Sequence, residues 1–317
     1  MTPQVGVAPA LSVVIVSTAP PGSLRKVIRH LSAQTIVDRL EVVLVAPSEL
    51  GPGLDRSDME LFGRFQIVSV GPIRSVGQAL AEGIRRAEAP VVALLEDHAY
   101  PCPTWAAVVV EAHRGPWSAV ATPINNENPE SLLSRTNFLI SYGRWADPVV
   151  GGEVEDLPAH NVAYKRELLH RYDGRLEELR DRGGYFHEEL RAAGCRFHLT
   201  TQGPISHLNP SRLVPILKLR FMSGRMYGAT RVLRERWSPR RRLLYLGGLP
   251  LIPVMRFRRL MSEVRGSDGR RTLPLSLVPL LLTAIVVESV GEAAGYAAGL
   301  GDAPRRITEI EMQRLYP

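Results

Sequence analysis

The sequence predicts an α/β protein whose sheet is covered by helices on both faces, followed by a helical region of different character. Two observations carry this. Four β-branched apolar runs, LSVVIVS (Leu11–Ser17), EVVLVAP (Glu41–Pro47), FQIVSV (Phe65–Val70) and VVALLE (Val91–Glu96), are separated by helix-length segments. That is the pattern of successive β–α units with strands buried on both sides. After Pro210 the texture changes to long apolar stretches studded with arginine.

Taken in order, the first run ends in Ala19-Pro20-Pro21-Gly22, a turn. Leu24, Val27, Ile28 and Leu31 then recur at helical spacing, with Ser23 as N-cap. Residues 75–87 and 105–113 read as helices, and Asn125–Pro129 reads as a polar loop. Asp147–Asp156 is rich in Gly, Pro and acids, a loop expected over a site. NVAYKRELLHRY (161–172) and HEELRAAG (187–194) read as helices, the second stopped by Gly194, and CRFHLT (195–200) reads as a strand.

The chain has 317 residues, 45% hydrophobic and 22% charged, which excludes wholesale disorder. Two cysteines, Cys102 and Cys195, exclude a disulfide scaffold and a Cys-rich zinc site. The N-terminus lacks a basic segment before an apolar one and does not read as a signal peptide. The net charge of +7 is unevenly spread. Residues 1–209 hold 20 basic and 24 acidic side chains, net −4; residues 210–317 hold 19 and 8, net +11.

The sharpest chemical signal is LLEDHAYP (94–101), where an apolar strand ends in Glu96-Asp97-His98. Ligands bind beyond the carboxyl ends of strands in open α/β sheets, and residues i and i+2 at a strand end point the same way. Glu96 and His98 can therefore share a divalent ion, and the imidazole tilts the choice from Mg2+ towards Mn2+. The competing structural reading is a turn whose carboxylates cap the next helix.

The order of LSVVIVS, a helix, Gln34-Thr35, EVVLVAPSE, SVGQALAEGIRRA and VVALLEDH resembles the family 2 glycosyltransferases of GT-A fold. The likeness continues through HNVAYKREL (160–168) and EELRAAGCRFHLTTQGPISHLN (188–209), covering about residues 11–210. It implies a GT-A-like, Rossmann-type mixed sheet and inverting transfer of a sugar from a UDP- or GDP-linked donor to a hydroxyl acceptor. It also implies a metal-diphosphate site at Glu96, Asp97 and His98 with Mn2+ or Mg2+. Donor-side positions are Ser17, Ala46, Ser75, Glu96 and Asp97; acceptor-side positions are His160, Asn161 and Trp145. His207, after a strand, is a third metal ligand or a structural histidine. Asn161 also reads as a helix N-cap. The catalytic base falls at Glu188 or Glu189, which lie about 100° apart on a helix, so that only one faces a cleft; Glu188 is preferred.

The chain departs from the family where Ala46-Pro47-Ser48, with Glu49 nearby, replaces Asp-Asp-Gly-Ser, and where Leu80-Ala81 replaces an Arg-Asn pair. The metal motif is Glu-x-His instead of Asp-x-Asp, and no Gln-x-x-Arg-Trp is present. These departures motivate a second reading, a catalytically silent GT-A-like module serving as membrane-bound scaffold or regulator.

The basic tail carries thirteen apolar-rich residues (243–255) between Arg240–Arg242 and Arg256–Arg259, too few to span a bilayer and interrupted by Pro250 and Pro253. It suits the membrane interface. Residues 273–300 are long enough to span, but contain Glu288 and Glu292, so an in-plane or re-entrant helix is expected. Glu288, Glu292, Gly295 and Gly299 share one face, fit for close packing or a homodimer. The tail's arginines are interleaved with aliphatic residues and not with stacking aromatics, which argues against nucleic acid. The expected organisation is a catalytic domain over 1–210 and a membrane-associating region over 211–317. Its expected place is the cytoplasmic face of a bacterial-type membrane, with an acceptor that can be polyprenyl-linked.

Overall fold

The computed structural model describes residues 8–17, 21–47, 54, 56–178, 183–265 and 273–313. Ser48, Glu49 and most of the linker before Leu273 lie outside them. The chain forms two compact units: Met1–Asn125 with Asp147–His207, and Asn126–Ala146 with Leu208–Pro317.

The first unit is built on β1 (Leu11–Val16), β2 (Leu40–Ala46), β3 (Arg64–Ser69), β4 (Val91–Leu94), β5 (Ala99–Pro101), β6 (Ala119–Ala121) and β7 (Ile124–Asn126), whose last residue belongs to the second unit. Strands β8 (Gly152–Val154), β9 (Val162–Lys165), β10 (Phe197–Leu199) and β11 (Ile205–His207) complete it. An eight-stranded sheet runs β3-β2-β1-β4-β9-β6-β10-β8, and a small sheet runs β5-β11-β7. The fold class is the expected one, a mixed α/β sheet flanked by helices.

Strands β1 to β4 are parallel, with Leu11 opposite Leu40 and Val91. Every residue of β1 and β2 is buried, as continuous Val/Ile/Leu strands covered on both faces should be. The helices of this unit are α1 (Pro21–Ser32), α2 (Arg56–Met59), α3 (Val76–Arg86) and α4 (Trp105–Ala112). Ser75 caps α3, its Oγ accepting from the Gln78 N–H at 3.2 Å. A Cβ on Gly83 would stand 2.4 Å from Val14 Cγ1 and 2.7 Å from Val45 Cγ2, so only glycine lets α3 lie this close to β1 and β2. Helix α1 begins at Pro21, which places Ser23 inside the helix and not at its cap.

The main departure from expectation is NVAYKRELLHRY. Val162–Lys165 is strand β9, antiparallel to β4 (Leu94 opposite Val162) and to β6 (Ala121 opposite Val162). Helix begins only at Arg166. Val162, Ala163 and Tyr164 fill the gap between two strands, and tertiary pairing overrides the local helical spacing. Asn161 is consequently no N-cap; it enters the strand with φ +57°.

The second unit contains, after α5 (Leu132–Tyr142) and following the first unit's α6 (Arg166–Arg171) and α7 (Gly183–Ala192), the helices α8 (Leu213–Arg234), α9 (Pro239–Gly247), α10 (Leu251–Arg265), α11 (Val278–Ala298) and α12 (Ala303–Gln313). Pro253 sits in the first turn of α10, where it costs no helical hydrogen bond. Helices α8 and α11 touch backbone to backbone. A Cβ on Gly228 would lie 2.3 Å from the Glu292 carbonyl oxygen, and one on Gly295 the same distance from that of Arg225. The small-residue ridge that suggests a homodimer is thus covered by α8 of the same chain. Glu288 and Glu292 are paired within the unit: Arg256 donates to Glu288 at 2.5 Å and to Glu292 at 2.6 Å, Arg220 stands 3.7 Å from Glu288, and Tyr296 donates to Glu292. Among the described residues, one helix, Leu275–Ala298, is long and apolar enough to cross a membrane.

An asparagine cluster joins residues 126–137 to the start of the C-terminal segment. Asn128 and Asn209 exchange hydrogen bonds of 2.8 and 2.9 Å, Asn209 donates to Asn126 at 3.0 Å, and Ser134 donates to Asn128 at 2.8 Å.

Candidate metal centre

Parallel pairing brings the carboxyl ends of β1, β2, β3 and β4 to one edge of the sheet. Ser17 follows β1 and Ala46 ends β2 there, both buried. Ser75 borders a cleft of about 410 Å³, together with Arg74, Gln78 and Glu82. Beyond β4, the chain turns and delivers Glu96, Asp97 and His98.

Glu96, His98 and His207 converge, each offering one ligand atom, and these atoms lie within 4.8 Å of one another. The His98 and His207 rings meet edge to face at 4.7 Å. His207 arrives from β11, which pairs with β5 immediately after His98 (His207 opposite Ala99). His207 Nε2 donates to Glu96 Oε2 at 3.0 Å. Asn161 braces the same carboxylate from the start of β9. Its Nδ2 donates to Glu96 Oε2 at 3.0 Å, and its Oδ1 accepts the Glu96 backbone N–H at 3.2 Å. The left-handed backbone of Asn161, which asparagine tolerates better than most residues, aims the amide at Glu96. His160 Nδ1 stands 3.9 Å from Glu96 Oε1.

Asp97 takes a different role from its two neighbours. It is buried, and its Oδ1 accepts from His98 Nδ1 at 3.2 Å. A carboxylate on Nδ1 fixes the ring and its tautomer, leaving Nε2 as the lone-pair nitrogen, the arrangement that metal-ligating histidines use. Burial pushes the Glu96 carboxyl up; His160, His98 and the His207 contact pull it down and prevail, placing it well below the usual carboxylate range.

One carboxylate oxygen and two imidazole nitrogens form a borderline donor set that suits Mn2+, Fe2+ or Zn2+ better than all-oxygen-seeking Mg2+. Octahedral ligands at about 2.1 Å from an ion stand about 3 Å apart when adjacent and about 4.2 Å when opposite, so a small contraction fits this trio to an ion.

The other sequence-predicted residues fall elsewhere. Helix α7 begins at Gly183, so Glu188 and Glu189 lie in its second turn and not at its start. Glu189 is gripped by Arg175 through two hydrogen bonds, 2.7 and 2.9 Å, in a fork that Glu178 shares. Glu188 is exposed. Trp145 belongs to the second unit, where Arg144 lies over its ring at 5.7 Å. A chain that the residue pattern does not announce links buried Tyr164 and His187 to half-buried Asp156. Asp156 Oδ1 accepts from His187 Nδ1 at 3.1 Å, so His187 Nε2 accepts the Tyr164 hydroxyl at 2.7 Å. It ties the acidic loop to α7 and β9.

No protein-family model matches the sequence, and no curated protein matches it. Among solved structures the chain is similar to that of GalNAc-T7 with UDP, GalNAc and Mn2+, at 14% sequence identity and a TM-score of 0.47. The alignment covers 63% of this chain and 44% of that one, so the chain spans less than half of its neighbour's length.

Proposed function

We propose that the chain transfers a sugar from a UDP- or GDP-linked donor to an acceptor hydroxyl, with inversion, at a divalent-metal site formed by Glu96, His98 and His207. The convergence of these side chains at the carboxyl edge of the parallel strands carries the reading, because that edge is where open α/β sheets take their ligands. A bound Mn2+ would supply positive charge to the leaving diphosphate. The chain's own residues hold the parts in place: Asp97 orients His98, Asn161 orients Glu96, and Ser17, Ala46 and Ser75 border the donor side. Glu188 takes the proton of the acceptor hydroxyl as its oxygen attacks the anomeric carbon. Glu188 is exposed on α7. A lipid-linked acceptor at the cytoplasmic face of a membrane, and membership of family 2, belong to the same proposal.

A second reading, a silent module that binds without turnover, is favoured by one observation. Ala46, Leu80 and Ala81 are buried and apolar at positions where the resemblance puts polar donor contacts. A panel of nucleotide sugars with Mn2+ separates the two. The enzyme reading expects binding and slow donor hydrolysis, both lost in the Glu96→Ala, His98→Ala variant, and Glu188→Gln with donor affinity kept but turnover gone. Failure to bind or hydrolyse any donor overturns it, and binding without hydrolysis selects the silent module.

A further inference from the structure

We infer that the outward face of α9 and α10 is a docking surface for a bilayer rich in anionic phospholipid. On α9, Arg240, Leu243, Leu244 and Gly247 recur at i, i+3, i+4 and i+7, and all are exposed. On α10, Leu251, Val254, Met255, Arg258 and Arg259 recur at i, i+3, i+4, i+7 and i+8, and all are exposed. The five aliphatic and methionine side chains of this stripe are between 55% and 72% exposed. A helix resting on a water-soluble core carries polar residues on that face. These two helices have a full inner face as well: Tyr245, Leu246 and Ile252 pack on Val232, Trp237 and Tyr296, while Phe257 packs on the cluster of Leu260, Leu277, Leu281 and Ile285. The stripe is therefore apolar surface in addition to a satisfied core contact.

Charge identifies the occupant. Residues 233–265 hold nine arginines and two glutamates, a net +7 in sequence, of which Arg256 is paired with Glu288 and Glu292. Both glutamates are engaged locally, Glu235 by Arg231 and Arg241 and Glu263 by Arg259. Arg241 lies 4.7 Å from the Trp237 ring centre, which fastens α9 to the unit and leaves Arg240 on the outward stripe. At nine and fifteen residues, the helices span about 14 and 22 Å, too short to cross a bilayer. An in-plane pair fits, with Leu, Val and Met below the head groups and arginines reaching phosphates. The inference goes beyond the proposed reaction and stands apart from it, since vesicle binding needs no donor, metal or acceptor.

The test is flotation of the full chain with vesicles of phosphatidylcholine alone, or with about one-third phosphatidylglycerol. The wild-type chain is expected to float with the anionic vesicles. Leu244→Glu with Met255→Glu should lower binding at least ten-fold, with circular dichroism unchanged because both positions are exposed. Arg240→Gln with Arg258→Gln should weaken binding about five-fold per arginine on anionic vesicles only. Wild-type protein that stays in solution with anionic vesicles overturns the inference, as does undiminished binding of the Leu244→Glu, Met255→Glu variant. A concentration-dependent dimer that this variant abolishes, without vesicle binding, overturns it in favour of a second copy of the chain.

Discussion

Asn161 is the residue on which the geometry of the metal centre turns, and its substitutions separate three contributions. Asn161→Gly removes both hydrogen bonds to Glu96, at 3.0 and 3.2 Å, and leaves the φ of +57° easy to adopt. A bond to an ionised carboxylate contributes about 1.5–3 kcal/mol and a neutral one about 1 kcal/mol, so the local loss should be about 3 kcal/mol. Asn161→Ala loses the same bonds and adds about 1 kcal/mol for a β-carbon in the left-handed region. Hydrogen exchange of the β4 and β9 amides measures both losses, and the order should be wild type, then Gly, then Ala. Because Asn161 orients a candidate ligand without being one, each variant should also weaken Mn2+ binding about 10- to 100-fold by calorimetry. Unchanged Mn2+ affinity in Asn161→Gly would refute the argument that Asn161 sets the Glu96 carboxylate. Equal exchange in Gly and Ala would refute the backbone part of it.

Three other outcomes are expected. Gly228→Ala drives a methyl to within 2.3 Å of the Glu292 carbonyl; overpacking of about 1–3 kcal/mol outweighs the helix-propensity gain of about 1 kcal/mol, and the urea midpoint should fall. Tyr164→Phe leaves the buried acceptor nitrogen of His187 unpaired and should cost about 1–3 kcal/mol, read as a drop in Tm, which Asp156→Asn should not simply add to because the three groups form one chain. His113 is buried, and burial pushes it down from 6.5 to about 4. The unfolded chain therefore takes up this proton first as pH falls. The His113 contribution is whole above pH 6.5 and is lost progressively towards pH 4, about 3 kcal/mol in all. Denaturation across that window should show a shallower acid decline in His113→Gln, and parallel curves would refute the assignment.

The first four strands are legible because each is a short run rich in Val, Ile and Leu between helical or turn segments, a signal that depends only on neighbours in sequence. Strand β9 is not. Its Val162, Ala163 and Tyr164 abut a helical stretch, and only pairing with β4 and β6 makes them strand. Likewise, Glu96 and His98 announce themselves at a strand end, and His207 after another, but their bracing does not. Asn161 reaches Glu96 across 65 positions, and Arg175 reaches Glu189 from outside α7. Residues 126–146 join the C-terminal helices through the Asn126, Asn128 and Asn209 cluster. Polar side chains that close contacts over such separations carry no periodicity, so no window along the chain registers them.

The ion-paired ladder between Arg220, Arg256, Glu288 and Glu292 has a consequence for the order in which the chain is made. The arginines leave the ribosome before either glutamate, Arg220 ahead of Glu288 by about 70 residues, or roughly 3–14 s at ordinary rates of synthesis. For that interval the nascent helix α8 has a cation without its counter-ion and glycine notches without the helix that fills them. The helical unit can close only once Glu288 and Glu292 have emerged, and a chain released before Glu288 is left with two guanidinium groups that have no carboxylate to bury them.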